Sequence, residues 1–132
     1  MTHVVVGIII KNTKPESYLL VSSIKDFGKY TGYYYPVGGH VDEGEGELGA
    51  LKRETKEELN VNIIKAKKIV DTDSDIKNQK TSWYLCEIDS YNFNIDSREL
   101  KDVGFFTKEE MGKMNIWPAT KKIFKKYIFN KN

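Results

Sequence analysis

Three glutamates in the middle of the sequence have the types and spacing to hold a cation together. On a helix, Glu54, Glu57 and Glu58 would share an arc of about 100° and lie within about 6 Å of one another along the axis. Glu54 and Glu58, one turn apart, would repel each other, and a bound divalent cation would relieve that repulsion. Carboxylate oxygens are hard ligands that suit Mg²⁺ or Mn²⁺. Taken alone, the three glutamates are also typical of a solvated acidic helix face that pairs with neighbouring lysines and arginines.

Two adjacent glycines precede this cluster and could bring the backbone close to a ligand. Gly38 and Gly39 follow Pro36 and Val37, and glycine permits tight turns and close approach of the main chain. A carbonyl freed at such a turn could be a further oxygen ligand. Taken alone, the pair is equally consistent with a turn that needs a positive φ.

Together these residues form one pattern, Gly-x5-Glu-x7-Arg-Glu-x2-Glu-Glu, which runs from Gly39 to Glu58. With this pattern the chain resembles the Nudix hydrolase family. Thr55 stands where the family usually has an aliphatic residue, and Asn60 stands where it usually has glycine. Neither departure removes an expected ligand, so both bear on the subfamily more than on activity.

The resemblance implies a metal site and a set of roles around it. Glu54, Glu57 and Glu58 are expected to bind Mg²⁺ or Mn²⁺, with the Gly39 carbonyl as an additional ligand. Arg53 is expected to orient the glutamates by ion pairing, as a member of the catalytic set.

The proton acceptor and the surrounding acids are less closely defined by the resemblance. Glu54 is our candidate general base, although in this family the base also comes from a loop outside the motif. Glu45 is expected to support the acidic loop or the waters of the metal. Glu99 lies where some relatives carry a further acidic ligand; the alternative is an exposed glutamate.

Members of the family hydrolyse a nucleoside diphosphate linked to another group, which makes the expected partner a small nucleotide derivative. Tyr35 and Trp83 are candidates for binding substrate by stacking on a base, and only one of Trp83 and Tyr84 can face the pocket from a strand. We expect a nucleoside triphosphate to be cleaved to the monophosphate and pyrophosphate. Hydrolysis of ADP-ribose, a dinucleoside polyphosphate or capped RNA, and a non-catalytic nucleotide sensor, are the alternatives.

The positions of these groups depend on elements that can be predicted from hydrophobic periodicity. A helix is predicted from about Gly46 to Leu59, with Leu48, Thr55 and Leu59 on its buried side. Asn60 is predicted to end this helix in the left-handed conformation.

Strands are predicted on both sides of this helix, and the segment from Asp26 to Tyr35 is predicted to be a loop over a pocket. A capping box at Thr107–Glu110 should start a short helix, and Pro118 should lie in the first turn of a last helix that ends near Phe129. The fold class is therefore α/β: a Nudix-type α/β/α sandwich with a mixed central sheet, in one domain of residues 1–132. The predicted strands are His3–Ile10, Ser17–Ile24, Ile63–Asp71, Thr81–Asp89 and Val103–Phe106.

The last part of the chain is strongly basic: from Met111 onward it contains six lysines and no acid. On a helix, four of these lysines would lie opposite the apolar residues. Such a face is typical of a core-packed helix with its lysines in water. The alternative is a surface for nucleic acid or an acidic partner. The four lysines are Lys121, Lys122, Lys125 and Lys126.

The composition limits the class of protein. The 132 residues are 39% hydrophobic and 30% charged, with a net charge of +2, as in an ordinary soluble domain. Cys86 is the sole cysteine, so an intrachain disulfide is excluded and the cytoplasm is the expected compartment. The longest apolar stretch, Val4 to Ile10, is too short to span a membrane. A monomer and a homodimer are both compatible with these features.

Overall fold

A seven-stranded mixed sheet forms the centre of the molecule. The computed structural model describes residues 1–130. The strands are β1 (Thr2–Lys11), β2 (Ser17–Ser23), β3 (Tyr34–Tyr35), β4 (Gly38–His40), β5 (Ile63–Asp73), β6 (Gln79–Ile88) and β7 (Leu100–Thr107).

The first strand lies in the interior of this sheet and buries side chains on both faces. β1 runs parallel to β6, and the other strand pairs are antiparallel. Val5 and Ile9 point to one face, whereas Val6 and Ile8 point to the other. An interior strand of this kind needs apolar residues at successive positions, which explains the run of valines and isoleucines. The predicted mixed sheet is confirmed.

Helices cover the two faces of the sheet, as predicted. Helix α1 (Glu47–Leu59) packs Ala50, Leu51 and Leu59 against one face. Helix α3 (Pro118–Ile123) continues into a π-helical turn at Phe124–Ile128 and packs against the other face. A short helix, α2 (Lys108–Met111), follows β7 and begins with the predicted capping box.

The sheet divides along one edge of β1, and this division opens a cleft. β1 pairs with β2 only at Ile10 and Lys11, while Val4, Val5 and Val6 pair with β4 instead. β2 and β4 therefore pair with different parts of the same edge of β1, and the two strands separate beyond these pairs. Residues from all three strands line the resulting cleft.

The observed elements differ from the predicted ones in three respects. The predicted loop from Asp26 to Tyr35 contains a short 3₁₀ turn and ends in β3. The last helix changes to π-helical hydrogen bonding after Ile123. Leu48 was predicted to be buried, which is wrong: it is 37% exposed, because it lies in the first turn and the core contacts of α1 begin at Ala50. The left-handed Asn60, with φ 58° and ψ 39°, is confirmed.

Candidate active site

Two of the three glutamates face each other at the inner side of α1. Glu58 is only 7% exposed, and its carboxyl group shares a hydrogen bond with that of Glu54. Burial, followed by this contact with Glu54, raises the pKa of Glu58 to about 9. The two side chains are one turn apart on the helix, so the backbone of α1 forces them together.

The third glutamate lies at the rim of the cleft. Glu57 has a side chain that is 58% exposed and accepts a hydrogen bond from Arg53 Nη1 at 3.4 Å. Within residues 1–130, no group of three or more histidine, cysteine, aspartate or glutamate side chains is arranged to enclose a metal ion. The structure therefore brings Glu54 and Glu58 together and leaves Glu57 beside them.

The glycine pair allows β4 to pass directly over this carboxyl pair. A Cβ atom on Gly39 would lie 2.5 Å from Glu54 Cδ and 2.6 Å from its Oε2. A Cβ on Gly38 would lie 2.0 Å from the carbonyl oxygen of Val5. Gly38 must be glycine because the backbone of β1 lies against it, whereas a side chain at Gly39 would displace the Glu54 carboxylate.

This arrangement fits a hard divalent cation. Without a cation, the Glu54 and Glu58 carboxyls can lie in contact only by sharing a proton, and the missing Cβ of Gly39 leaves backbone next to them. Carboxylate and carbonyl oxygens are the donors that Mg²⁺ and Mn²⁺ take. The residues that would hold the ion are Glu54 and Glu58, with Gly39 as the backbone donor and Glu57 at the rim.

Arg53 joins the acidic loop to the helix. Its Nε donates to Glu45 Oε2 at 2.8 Å, its Nη1 donates to Glu54 Oε1 at 2.9 Å, and its Nη2 donates to the His40 carbonyl at 3.1 Å. Asp42 lies 3.2 Å from the same Nη2. The hydrogen bonds to Glu45 and then to Glu54 raise the pKa of Arg53 above its ordinary value. The guanidinium therefore keeps its charge and holds the Glu54 carboxylate in place.

We expect the Glu45–Arg53 pair to contribute to stability only when Glu45 is ionised. Hydrogen bonds from Arg53 and from the Asp42 backbone lower the pKa of Glu45 from 4.5 to about 2. The contribution is thus present above pH 4.5 and is lost as the pH falls toward 2. In thermal melts, Glu45→Gln should lower the melting temperature modestly at pH 6 and leave it nearly unchanged at pH 2.

Glu43→Gln is the matched control, because Glu43 is exposed and forms no ion pair within residues 1–130. If the two variants changed the melting temperature equally at pH 6 and equally at pH 2, the assigned role of the Glu45–Arg53 pair would be contradicted.

The cleft beside the glutamates has a volume of about 560 Å³, and aromatic side chains form part of its lining. Trp83 lines it and is 2% exposed, with its Nε1 donating to Thr72 Oγ1 at 2.8 Å. Tyr84 lies on the opposite face, where its hydroxyl donates to Glu47 Oε1 at 2.8 Å. Of the neighbouring pair, Trp83 is therefore the one that reaches the cleft.

Tyr35 also lines the cleft, close to the carboxyl pair. Burial, and then the nearby charge of Glu58, raises the pKa of the Tyr35 hydroxyl above its ordinary value. The hydroxyl is therefore neutral at physiological pH and can donate a hydrogen bond. Both predicted substrate-binding residues thus lie at the wall of one cleft.

Sequence reasoning missed one aromatic residue of this wall, Trp117, which packs against Phe27 of the predicted pocket loop. The two rings pack edge to face with centroids 5.3 Å apart. Trp117 is 9% exposed, and its buried Nε1 has no hydrogen-bond partner within residues 1–130. It lies just before α3, and the bridge between Tyr34 and Ile116 brings it to the cleft. The one signal in the sequence was that Trp117 precedes a helix-starting proline.

Glu99 lines the same cleft as Glu58. Its side chain is 51% exposed, and its Oε2 lies 3.9 Å from Lys25 Nζ. The charge of Glu99 helps to raise the pKa of Glu58, and the charge of Lys25 opposes that effect. Glu99 and Lys25 therefore lie close enough to the carboxyl pair to act on the charge of Glu58.

Comparison with known proteins gives a family match over almost the whole chain. A family model described as NUDIX domain matches residues 1–127. No curated protein matches the chain at a significant level. No helix within residues 1–130 has the length and apolar character needed to cross a membrane.

Solved structures with the same fold include a MutT NUDIX hydrolase from Burkholderia pseudomallei, which is 17% identical with a TM-score of 0.81 over 96% of this chain and 97% of that one. The NUDIX domain of Shewanella oneidensis NrtR, complexed with ADP ribose, is 15% identical with a TM-score of 0.79 over 93% and 83%. A C. elegans Ap4A hydrolase is 18% identical with a TM-score of 0.77 over 95% and 93%. At these identities the likeness establishes the fold.

Proposed function

Because the chain belongs to the NUDIX domain family, we propose that it is a metal-dependent pyrophosphohydrolase that cleaves a nucleoside triphosphate to the monophosphate and pyrophosphate. The family membership confirms the predicted Nudix hydrolase. The observation that carries the proposal is the Glu54–Glu58 carboxyl pair, which lies beneath Gly39 in a cleft that aromatic side chains also line. Acidic oxygens and aromatic rings in one cleft match the two halves of a nucleotide bound with a cation.

The position of each residue in the site indicates its role in the reaction. A bound Mg²⁺ or Mn²⁺ would neutralise charge on the phosphate oxygens and make water a better nucleophile. Glu54 accepts the proton of the attacking water, since its carboxylate borders the cleft and Arg53 holds it in place. Glu58, buried beside it, would exchange its proton for the cation and serve as the second carboxylate that holds the ion.

The lining of the cleft favours a nucleotide as substrate. Phe27 and Trp117 pack edge to face, and Trp83 lines the same cleft, so aromatic side chains are available to a base in the cleft that holds the carboxyl pair. The nearby segment Ile76–Gln79 lacks the proline expected of ADP-ribose hydrolases and the tyrosine expected of dinucleoside polyphosphate hydrolases.

The proposal is tested by measuring phosphate and pyrophosphate release from nucleoside triphosphates, ADP-ribose, dinucleoside polyphosphates and nucleotide sugars. We expect pyrophosphate release from one or more nucleoside triphosphates with Mg²⁺ or Mn²⁺, and none with a chelator. Faster turnover of ADP-ribose or a dinucleoside polyphosphate would overturn the substrate assignment. Nucleotide binding without turnover on any substrate would favour the sensor.

The proposed function also includes a cellular compartment, a class of partner and the oligomeric states that it permits. We place the reaction in the cytoplasm, consistent with a lone cysteine, Cys86, that is buried. The partner is a small nucleotide derivative bound together with the metal. Monomer and homodimer are both compatible with this activity, because every residue assigned to the reaction comes from one chain.

A further inference from the structure

The outer side of the last helix is a surface of one charge sign. Four exposed lysines lie along α3 and the π-helical turn, and Lys108 of α2 lies beside them. No acid occurs after Glu110 in the sequence, and within residues 1–130 none of these five lysines forms an ion pair. We call this surface the lysine face; it consists of Lys108, Lys121, Lys122, Lys125 and Lys126.

The spacing of the lysine face is unfavourable for the helix itself. Lys121 and Lys125, and likewise Lys122 and Lys126, stand four residues apart, where like charges repel. Helix α1 instead mixes the two signs, with Arg53 paired to Glu57 one turn on. Solubility alone therefore does not account for a helix whose outer side carries lysines and no acid, whereas a polyanionic partner would remove the repulsion.

Aromatic rings are interspersed with these lysines. Lys108, Lys122, Lys125 and Lys126 surround a groove of about 570 Å³ that also contains Phe129. The Lys108 Nζ lies 5.1 Å from the centroid of the Phe129 ring. Tyr127 is 38% exposed, and Lys126 Nζ lies 5.4 Å from the centre of its ring.

We propose that the lysine face binds single-stranded nucleic acid. The lysines contact successive phosphates, and the exposed ring of Tyr127 offers a face on which a base stacks. This inference does not depend on the proposed hydrolysis, because the lysine face shares no residue with the carboxyl pair. The helix that carries it starts at the cleft, where Ala119 and Thr120 form part of the wall.

A membrane surface fits these observations less well than a nucleic acid. A helix that lies on a membrane buries its own apolar side among the lipids. Here the apolar side of the helix is already used in the core, where Ile123, Phe124 and Ile128 are nearly inaccessible. An exposed tyrosine between lysines favours bases over the carboxylates of an acidic protein.

The test measures fluorescence anisotropy of a short labelled oligouridylate with the full chain in chelator, so that the glutamates hold no metal. We expect binding at low salt, with log K falling as log salt rises. Changing Lys122, Lys125 and Lys126 to glutamine should weaken binding at least tenfold and make the salt slope shallower by about 2, since each contact to a single strand contributes about 0.7.

The matched control removes the same charge elsewhere, by changing Lys14, Lys67 and Lys101 to glutamine. These lysines are exposed, and none forms an ion pair within residues 1–130. We expect the control to bind nearly as the unaltered protein does, and both variants to keep full turnover of free nucleotides. Equal losses in the two triple variants, or no binding at low salt, would overturn the proposal.

Two further measurements distinguish binding of nucleic acid from binding of other anions. Tyr127→Ser should weaken binding of the oligouridylate several-fold and leave binding of inorganic polyphosphate unchanged, because polyphosphate has no bases to stack. An equal effect of Tyr127→Ser on both ligands would overturn the stacking role. Tighter binding to phosphatidylserine vesicles than to the oligouridylate would overturn the choice of nucleic acid.

Discussion

Changing Glu58 to glutamine should reduce metal-dependent turnover by about 1000-fold or more, because a bound metal ion contributes several kcal/mol to transition-state stabilisation. Glutamine has nearly the same shape but no charge, so it removes half of the carboxyl pair. The fold should survive the change, since the buried Glu58 already carries a proton beside Glu54 when no cation is bound. Pyrophosphate release and a thermal melt in chelator, on the same preparation, separate loss of activity from loss of structure.

Glu57→Gln is the matched control for this experiment. Glu57 lies on the same helix, next in sequence, but its side chain is 58% exposed and at the rim of the cleft. We expect a smaller loss of turnover than for Glu58→Gln, and a weaker dependence on metal concentration. Full activity of Glu58→Gln, or a larger loss in Glu57→Gln, would show that the inner pair does not form the metal site.

Changing Gly39 to alanine should lower turnover by about 100-fold or more, the cost that a displacement of about 1 Å can have on a catalytic group. The added methyl group would lie 2.5 Å from Glu54 Cδ, so the carboxylate must move. Glu54 is a flexible side chain at the cleft, so its displacement spares the core. We therefore expect the variant to fold and to lose activity, with a melting temperature close to that of the unaltered protein.

Two other glycines provide controls of opposite kinds. Gly49 lies in α1 with only Glu45 Cγ near its open side, at 3.9 Å, and Gly49→Ala should raise stability by about 1 kcal/mol through helix propensity without loss of turnover. Gly38→Ala would place a methyl group 2.0 Å from the Val5 carbonyl oxygen and should unfold the protein. If Gly39→Ala behaved like Gly38→Ala, the role of Gly39 would be structural instead.

Local patterns in the sequence were sufficient to predict most of the helices and strands. The apolar run of β1, the left-handed Asn60 and the capping box of α2 depend on residues close in sequence, and each formed as expected. The prediction that Leu48 is buried was wrong because helical periodicity describes one face along the whole helix. Burial of a residue on that face also depends on whether the sheet extends beneath that turn of the helix. The π-helical turn after Ile123 likewise follows from tertiary packing, since Phe124 and Ile128 both enter the core.

The acidic part of the site was predictable, and the aromatic part only in part: Tyr35, Trp83 and the loop that carries Phe27 were predicted at the pocket, whereas Trp117 was not. Glu54, Glu58 and Gly39 lie within one local motif, so their spacing already determined that they would meet. Phe27 and Trp117 are far apart in sequence and meet only because the chain returns to the cleft at α3. No local pattern distinguishes such residues from ordinary core aromatics.

The parallel pairing of β1 with β6 determines when the protein can fold during its synthesis. Thr2 pairs with Gln79 and Ile9 pairs with Cys86, so the first strand waits for partners more than half the chain away. Closing so long a loop is entropically costly and slow. During synthesis β1 can pair with β2 and β4 as soon as they are made, but its other edge stays open until β6 has followed, and an open apolar edge of this kind is prone to pair with other chains.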